Sequence, residues 1–225
     1  MSTVRPFTPV QYVMNKAEFC GLDFTVNENV LIPRPETEIL VDTVVELFQG
    51  SGFRVQGRRI LDLGTGCGNI AISLIKKIPD CKIIASDIST EALEVAKINA
   101  RRHGVYDRIE FVESDLFDRI EGRFDIIISN PPYVARGEFE TLQKEVLMEP
   151  RVAIDGGEDG LNFYRKIIPG ALRHLKPGGV LVMEIGYGQR RDVSKIIEEA
   201  GSLELSEVKI DQNSVDRIIV AKWIN

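Results

Sequence analysis

Residues 130–133 read Asn-Pro-Pro-Tyr, directly after the apolar run "FDIIIS". Proline has no N–H to donate, so Pro131 and Pro132 leave this loop with carbonyl oxygens and no competing backbone donors. The side-chain oxygen of Asn130 and the carbonyl of Pro131 then form two acceptors on one side. They match the two hydrogens of a planar NH₂ group of amide or aromatic-amine type, and Tyr133 supplies a ring that stacks on it. A conjugated nitrogen is a poor nucleophile. Two acceptors orient its lone pair and stabilise the positive charge that develops as it attacks. The alkylated nitrogen loses its proton readily, so no strong general base is needed. A proline pair also makes a rigid exit from a strand; what lies beside it decides for chemistry.

The neighbour is a glycine loop. "ILDLGTGCGNIAI" carries Gly64, Gly66 and Gly68 at alternate positions, between a strand-like and a helix-like pattern. Glycine permits tight turning and close approach of a ligand to the backbone. A dinucleotide fingerprint needs a third glycine at position 69, which is Asn69, and no "GKS" or "GKT" follows, so a P-loop is excluded. Asp87 ends the next strand, placed to accept hydrogen bonds from both hydroxyls of a ribose. Asp115, after the third strand of the sheet, can face an adenine amino group. Asp62 can support the loop or a ligand's amino group. A nucleoside with a non-phosphate tail fits this set, and S-adenosylmethionine fits it better than NAD or ATP.

These residues need a frame. Strand-like "RRILDLG", "KIIASDI", "RIEFVESD", "FDIIISN" and "VLVMEIG" alternate with helix-like "NIAISLIKKI", "TEALEVAKINARRHG", "LNFYRKIIPGALRHL" and "QRRDVSKIIEEAG". Such alternation builds a parallel sheet covered by helices on both faces. "LELSEVKID" and "DRIIVAKW" follow with no helix between them, so they pair antiparallel. The fold class is α/β, seven strands, mostly parallel, ending in an antiparallel hairpin, the layout of Rossmann-like class I methyltransferases. Residues 1–35 read as an N-terminal arm whose β-hairpin turns at "NEN" between "FCGLDFTV" and "VLIP"; residues 36–225 read as the catalytic domain. Thr37 is expected to cap the helix "EILVDTVVELFQ", which Gly50 and Gly52 end. Pro169 is expected to kink its helix.

Composition narrows the classes. The 225 residues carry a net charge of −6, against the basic balance of a protein that grips nucleic-acid backbone. Three cysteines without a CxxC pair support neither a disulfide framework nor a zinc cluster. No apolar run approaches the ~20 residues of a membrane span, and "MSTVRPFTPVQYV" lacks a signal-peptide core. A cytoplasmic protein is expected. His103 and His174 fall on predicted helices away from Asn130 and read as non-catalytic.

The chain resembles the protein-(glutamine-N5) methyltransferases of peptide chain release factors, the HemK family. The likeness runs through "VLIPRPETE" (30–38), "DLGTGCG" (62–68), "SDIS" (86–89), "NPPYV" (130–134), "EP" (149–150), "DGGEDGL" (155–161), "LKPGG" (175–179), "EIG" (184–186) and "DR" (216–217). It implies transfer of a methyl group from S-adenosylmethionine, leaving S-adenosylhomocysteine, to the glutamine of a Gly-Gly-Gln loop. It implies that Gly64, Thr65, Gly66, Cys67 and Gly68 line the cofactor. Asp87 would hold its ribose, and Asp115 and Leu116 would lie near adenine. Asn130, which also borders the cofactor, Pro131, Pro132 and Tyr133 would grip the glutamine. Arg34 and Glu36 would help cover the site. The stretch before "EFCG" is shorter than the helical domain the family carries there. Asn15 stands where a glycine is expected, and Cys67 where Ser or Thr is commoner. "NPPY" is shared with amino-group methyltransferases of nucleic acids, of adenine-N6 type, which are the alternative. A module that binds S-adenosylmethionine without turnover is a third reading, ranked last because every expected site residue is present.

Overall fold

A computed structural model describes residues 5–49 and 58–224. The arm comprises α1 (Val10–Met14), β1 (Ala17–Phe19) and β2 (Leu22–Phe24). Then follow α2 (Glu38–Gln49), β3 (Arg59–Leu63), α3 (Asn69–Lys77), β4 (Lys82–Asp87), α4 (Thr90–Arg102), β5 (Ile109–Glu113) and β6 (Phe124–Ser129). The chain continues through α5 (Asn162–His174), β7 (Leu175–Glu184), α6 (Arg190–Glu199), β8 (Leu203–Ile210) and β9 (Asp216–Trp223).

Seven strands form one sheet in the order β5-β4-β3-β6-β7-β9-β8. The first five are parallel, and β9 runs antiparallel to both β7 and β8. Side chains of a strand point alternately to its two faces, and the runs of Ile, Leu and Val serve both. Ile60, Ile126, Ile128, Val180 and Val182 pack beneath the arm, α2, α3 and α4. Leu61, Leu63, Ile127, Leu181 and Met183 pack with α5 and α6. The strand order reverses between β3 and β6, and ligands bind at such a reversal, beyond the carboxyl ends of the strands.

The hairpin is present, but its turn is Cys20-Gly21 and not "NEN". Gly21 has φ 69° and Cys20 φ 50°, so the chain reverses within two residues. Val30 and Ile32 are buried without joining a strand. Asn15 ends α1 at φ 50°, ψ 37°, the left-handed conformation in which Asn is the common substitute for glycine. Phe19 and Phe24 are fully buried and meet edge to face at 6.2 Å. Each such burial is worth about 2–3 kcal/mol. Helix α5 is continuous, because Pro169 lies on its exposed side, where water serves the carbonyl that proline leaves unpaired. Gly50 and Gly52 lie outside the described residues.

One side chain fastens the arm. Asn99, fully buried on α4, accepts from the Thr25 N–H at 2.7 Å and donates to the carbonyls of Thr25 (3.0 Å) and Cys67 (2.9 Å). Replacing it by alanine leaves three backbone groups without a partner. Asn99→Ala is therefore expected to lower the urea-unfolding free energy by about 2–4 kcal/mol and to expose the arm to proteolysis first. A loss below about 0.5 kcal/mol would show that the arm is held elsewhere.

Candidate active site

Ser86 and Ser129 flank Leu63 in the sheet register, so the residues that follow them, Asp87 and Asn130, stand on either side of Gly64. Between them a cavity opens, lined by Gly64, Gly66, Asp87, Ile88, Asp115, Leu116, Asn130, Pro131 and Pro132. Asn29, Val30 and Leu31 of the arm close one side, and Phe163 of α5 lies in another wall.

The glycine loop keeps its amides for itself. The N–H groups of Gly64 and Thr65 both donate to the Ser86 carbonyl at 2.8 Å. The Gly66 N–H donates to Asp87 Oδ2 at 2.9 Å, and that of Gly68 to the Thr65 carbonyl at 2.8 Å. Four amides that a phosphate cradle would aim at its ligand are thus satisfied internally. Gly64 and Gly66 have φ values of 73° and 54°, conformations that side chains rarely adopt. Gly68 does not face the cavity. A Cβ there would sit 3.1 Å from that of Ala96, so this glycine lets α3 and α4 pack closely.

Two further loop residues also turn inward. Thr65 is buried and donates to Asp62 Oδ2 at 2.7 Å. Cys67 is buried in the core, where burial pushes its thiol up to about 12. Asp62 is fully buried, and among the described residues its Oδ1 has no hydrogen-bond partner of ordinary geometry, though the Ala71 N–H favours its charged form. Desolvation and the charge of Asp87 push its carboxyl up to about 7. An orphaned carboxylate oxygen under the loop suits a cationic or N–H-bearing group, as the amino group of S-adenosylmethionine would be.

Asp87 completes the Gly66 bond and accepts from the Ser89 N–H at 3.0 Å through Oδ1. Ser89, not Asp87, caps α4, accepting from the Ala92 N–H. Asp87 keeps its remaining lone pairs for the cavity, and burial raises its pKa. Asp115 is exposed at the cavity edge, and Leu116 is held at φ 47°. Ser114 stabilises that strained turn: its hydroxyl donates to the Leu116 carbonyl (2.9 Å) and accepts from the Arg119 N–H (3.0 Å).

Asn130 is oriented by a residue the sequence assigned elsewhere. Its Nδ2 donates to Thr37 Oγ1 at 3.1 Å, which leaves Oδ1 without a donor among the described residues. Thr37 is no helix cap. It is buried in a short turn before α2, and its hydroxyl donates to Glu184 Oε2 at 2.6 Å. Glu184, at the end of β7, is fully buried, and desolvation pushes it up to about 7. Thr37 and Glu184 are site residues that the motif reading missed. An acidic residue closing the apolar run "VLVME" is the signal that could have found the second.

Tyr133 is not in the cavity wall. Its hydroxyl donates to Glu184 Oε1 at 3.4 Å, its ring packs against Gly186, and its carbonyl accepts from Gln189 Nε2 at 2.9 Å. Burial, then the nearby Glu184, raises its phenol pKa. "DGGEDGL" packs on its backbone: a Cβ on Gly156 would lie 2.7 Å from Tyr133 Cα, and one on Gly160 would collide with the Tyr133 carbonyl. Arg34 pairs with the buried Glu149, which also accepts from the Ile32 N–H at 3.0 Å, so "IPRPETE" is strapped to the "EP" segment. Glu36 does not share that ion pair. The histidines are structural: His103 Nε2 meets the Asp23 carbonyl at 2.9 Å, and His174 stacks on Phe117 at 4.9 Å. Among the described residues no helix is long and apolar enough to cross a membrane.

A sheet of this order, with a nucleoside-sized set of partners at its reversal and four glycine-loop amides turned away from any phosphate, defines a class I methyltransferase. A family model described as the methyltransferase small domain matches residues 36–158. A release factor glutamine methyltransferase of Geobacter sulfurreducens is 40% identical over 213 residues, 94% of this chain and 72% of that protein. One from Agrobacterium fabrum is 44% identical over 212 residues, 94% of this chain and 73% of that protein. The solved structure of a T. thermophilus 16S rRNA N2 G1207 methyltransferase in complex with AdoMet and guanosine superposes with a TM-score of 0.65. It covers 92% of this chain and 49% of that one at 19% identity, a likeness of fold alone. The chain belongs to the release factor glutamine methyltransferase family.

The burial of Cys67 sets a test of the loop. In the native protein at pH 8 its thiol is expected to resist iodoacetamide until the chain unfolds. Mass-mapped alkylation of Cys67 with the fold intact would show that this side chain faces the cavity after all.

Proposed function

We propose that this protein transfers a methyl group from S-adenosylmethionine to the side-chain amide nitrogen (N5) of the glutamine in the Gly-Gly-Gln motif of a peptide chain release factor. The observation that carries this reading is the free Oδ1 of Asn130, aimed by Thr37, beside a Pro131 carbonyl that accepts no hydrogen bond from the described residues. The family named above supports the choice of a glutamine among planar amino groups.

When bound, S-adenosylmethionine supplies an electrophilic sulfonium methyl. Gly64 and Gly66 let its amino-acid portion approach the backbone, and Asp62 would compensate its amino group. Asp87 would accept from the ribose hydroxyls, and Asp115 and Leu116 would border the adenine. Asn130 Oδ1 and the Pro131 carbonyl bind the two hydrogens of the acceptor amide, which holds the nitrogen in line. Their negative ends face the nitrogen as it becomes positive. Pro132 and the packed Tyr133 keep those oxygens fixed, and Tyr133 does so from behind. Water takes the proton the methylated amide sheds.

The test uses radiolabelled S-adenosylmethionine and a release factor, read by peptide mass. Label on the Gly-Gly-Gln peptide is expected, and none when that glutamine is replaced. Label persisting on the replaced protein, or efficient transfer to DNA or RNA in its stead, would overturn the substrate. Asn130→Ala is expected to lower kcat by about 100-fold or more, a larger loss than in affinity for S-adenosylmethionine.

Asp62 adds a pH dependence to binding. Its pKa is raised to about 7, so it attracts a cation only once ionised. Affinity for S-adenosylmethionine, measured by calorimetry, is expected to weaken by up to about tenfold per pH unit below 7. Asp62→Asn should flatten that slope, and an unchanged slope would place the amino group elsewhere.

A further inference from the structure

Asn130 can bind an amide NH₂ only if its oxygen, not its nitrogen, faces the substrate. Nothing in the "NPPY" loop decides this, because an Asn side chain turned over by half a rotation fits the same space. The decision is made outside the loop. Thr37 Oγ1 carries one hydrogen. It gives that hydrogen to Glu184 Oε2 at 2.6 Å, so toward Asn130 it can only accept. The group of Asn130 that meets it must be a donor, and Nδ2 meets it at 3.1 Å. Oδ1 is left for the substrate.

We infer that Thr37 and Glu184 are positioning residues that set which atom of the Asn130 amide faces the acceptor, and that the ionised form of Glu184 sets it correctly. This rests on the reading of Asn130 as the acceptor-binding side chain. A protonated Glu184 reverses the chain of bonds. Its O–H donates to Thr37, the Thr37 hydroxyl turns to Asn130, and it selects Oδ1. The Asn130 NH₂ then faces the NH₂ of the acceptor, donor against donor.

The surroundings of Glu184 leave it able to take either form. Tyr133 donates to Oε1 at 3.4 Å, and Tyr164 of α5 donates to the Glu184 backbone carbonyl at 3.1 Å. Arg217 of β9 favours the charged form. Glu36, on the same turn as Thr37, and above all burial, oppose it. The balance lies at about 7. The sign follows: the competent polarity is present above that value and is lost as pH falls through it.

The experiment measures kcat at saturating S-adenosylmethionine, which removes the pH dependence of cofactor binding. In the wild type kcat is expected to fall below about pH 7. Thr37→Val keeps the volume and removes the hydroxyl. Its kcat should fall at least about tenfold at pH 8, with the S-adenosylmethionine Kd within twofold of wild type by calorimetry, about the spread of such constants. The acid limb from Glu184 should disappear from what activity remains. Thr37→Ser restores the hydroxyl and should recover both rate and limb. Full kcat in Thr37→Val, or a serine variant no better than the valine one, would overturn the inference. If the valine variant does not fold, the wild type and Thr37→Ser still decide, because a flat kcat from pH 5.5 to 8.5 refutes the relay. A wild type that labels no release factor at any pH refutes the proposed substrate; an active wild type with an indifferent Thr37 refutes only the relay.

Discussion

The site depends on the register of β3 between its two parallel neighbours. Leu63 stands opposite Ser86 on one side and Ser129 on the other. Both serines reach across: Ser129 Oγ donates to the Leu63 carbonyl at 2.9 Å, and Ser86 Oγ to that of Asp62 at 3.3 Å. Both are buried, so the bonds are shielded from water. A slip of one residue in either pair would move Asp87 or Asn130 by about 3.3 Å along the strand and reverse its facing. The two sides of the cavity are thus set by two Ser-polar dipeptides at matched heights.

Around that register the protein builds rigidity from unlike materials. Behind Asp87 it uses backbone amides turned inward. Behind the Pro-Pro pair it uses glycines, since only residues without a Cβ let "DGGEDGL" lie against Tyr133. Behind Asn130 it uses a buried carboxyl and a threonine. Asp62 and Glu184 are both fully buried, and holding them charged at neutral pH works against folding, because desolvation favours their protonated forms. The interior carries these charges beside the candidate site, whereas in the hairpin half of the sheet Ile218, Ile219, Val220 and Ala221 are apolar and the buried Asp211 is paired with Arg217.

Strands, helices and the antiparallel ending were legible because their signals are local: apolar runs, glycine stops and a Ser89 cap. So were the residues that face the cavity, since Asp87, Asn130, Gly64 and Gly66 sit at or just beyond strand ends. What escaped was joined across long separations. Thr37 looks like a helix cap because its sequence neighbours begin a helix, yet its partner lies 147 residues away. Thr65 and Cys67 look like lining because the loop lines the cavity, but a loop has two sides and these point to the core. "NEN" looks like a hairpin turn, while the shorter reversal at Cys20 needs a non-glycine residue at positive φ, which composition does not announce.

The strap between the arm and the later loops has a bearing on how the enzyme is made. The arm leaves the ribosome before the sheet, yet Thr25 bonds to Asn99, Ile32 to Glu149 and Thr37 to Glu184, across 74, 117 and 147 residues. Contacts of such separation form late, after the sheet that brings them together. A nascent chain can assemble β3, β4 and the glycine loop early, while the Asn130 side of the cavity stays unoriented until β7 has emerged. Competence for transfer is therefore among the last properties the growing polypeptide acquires.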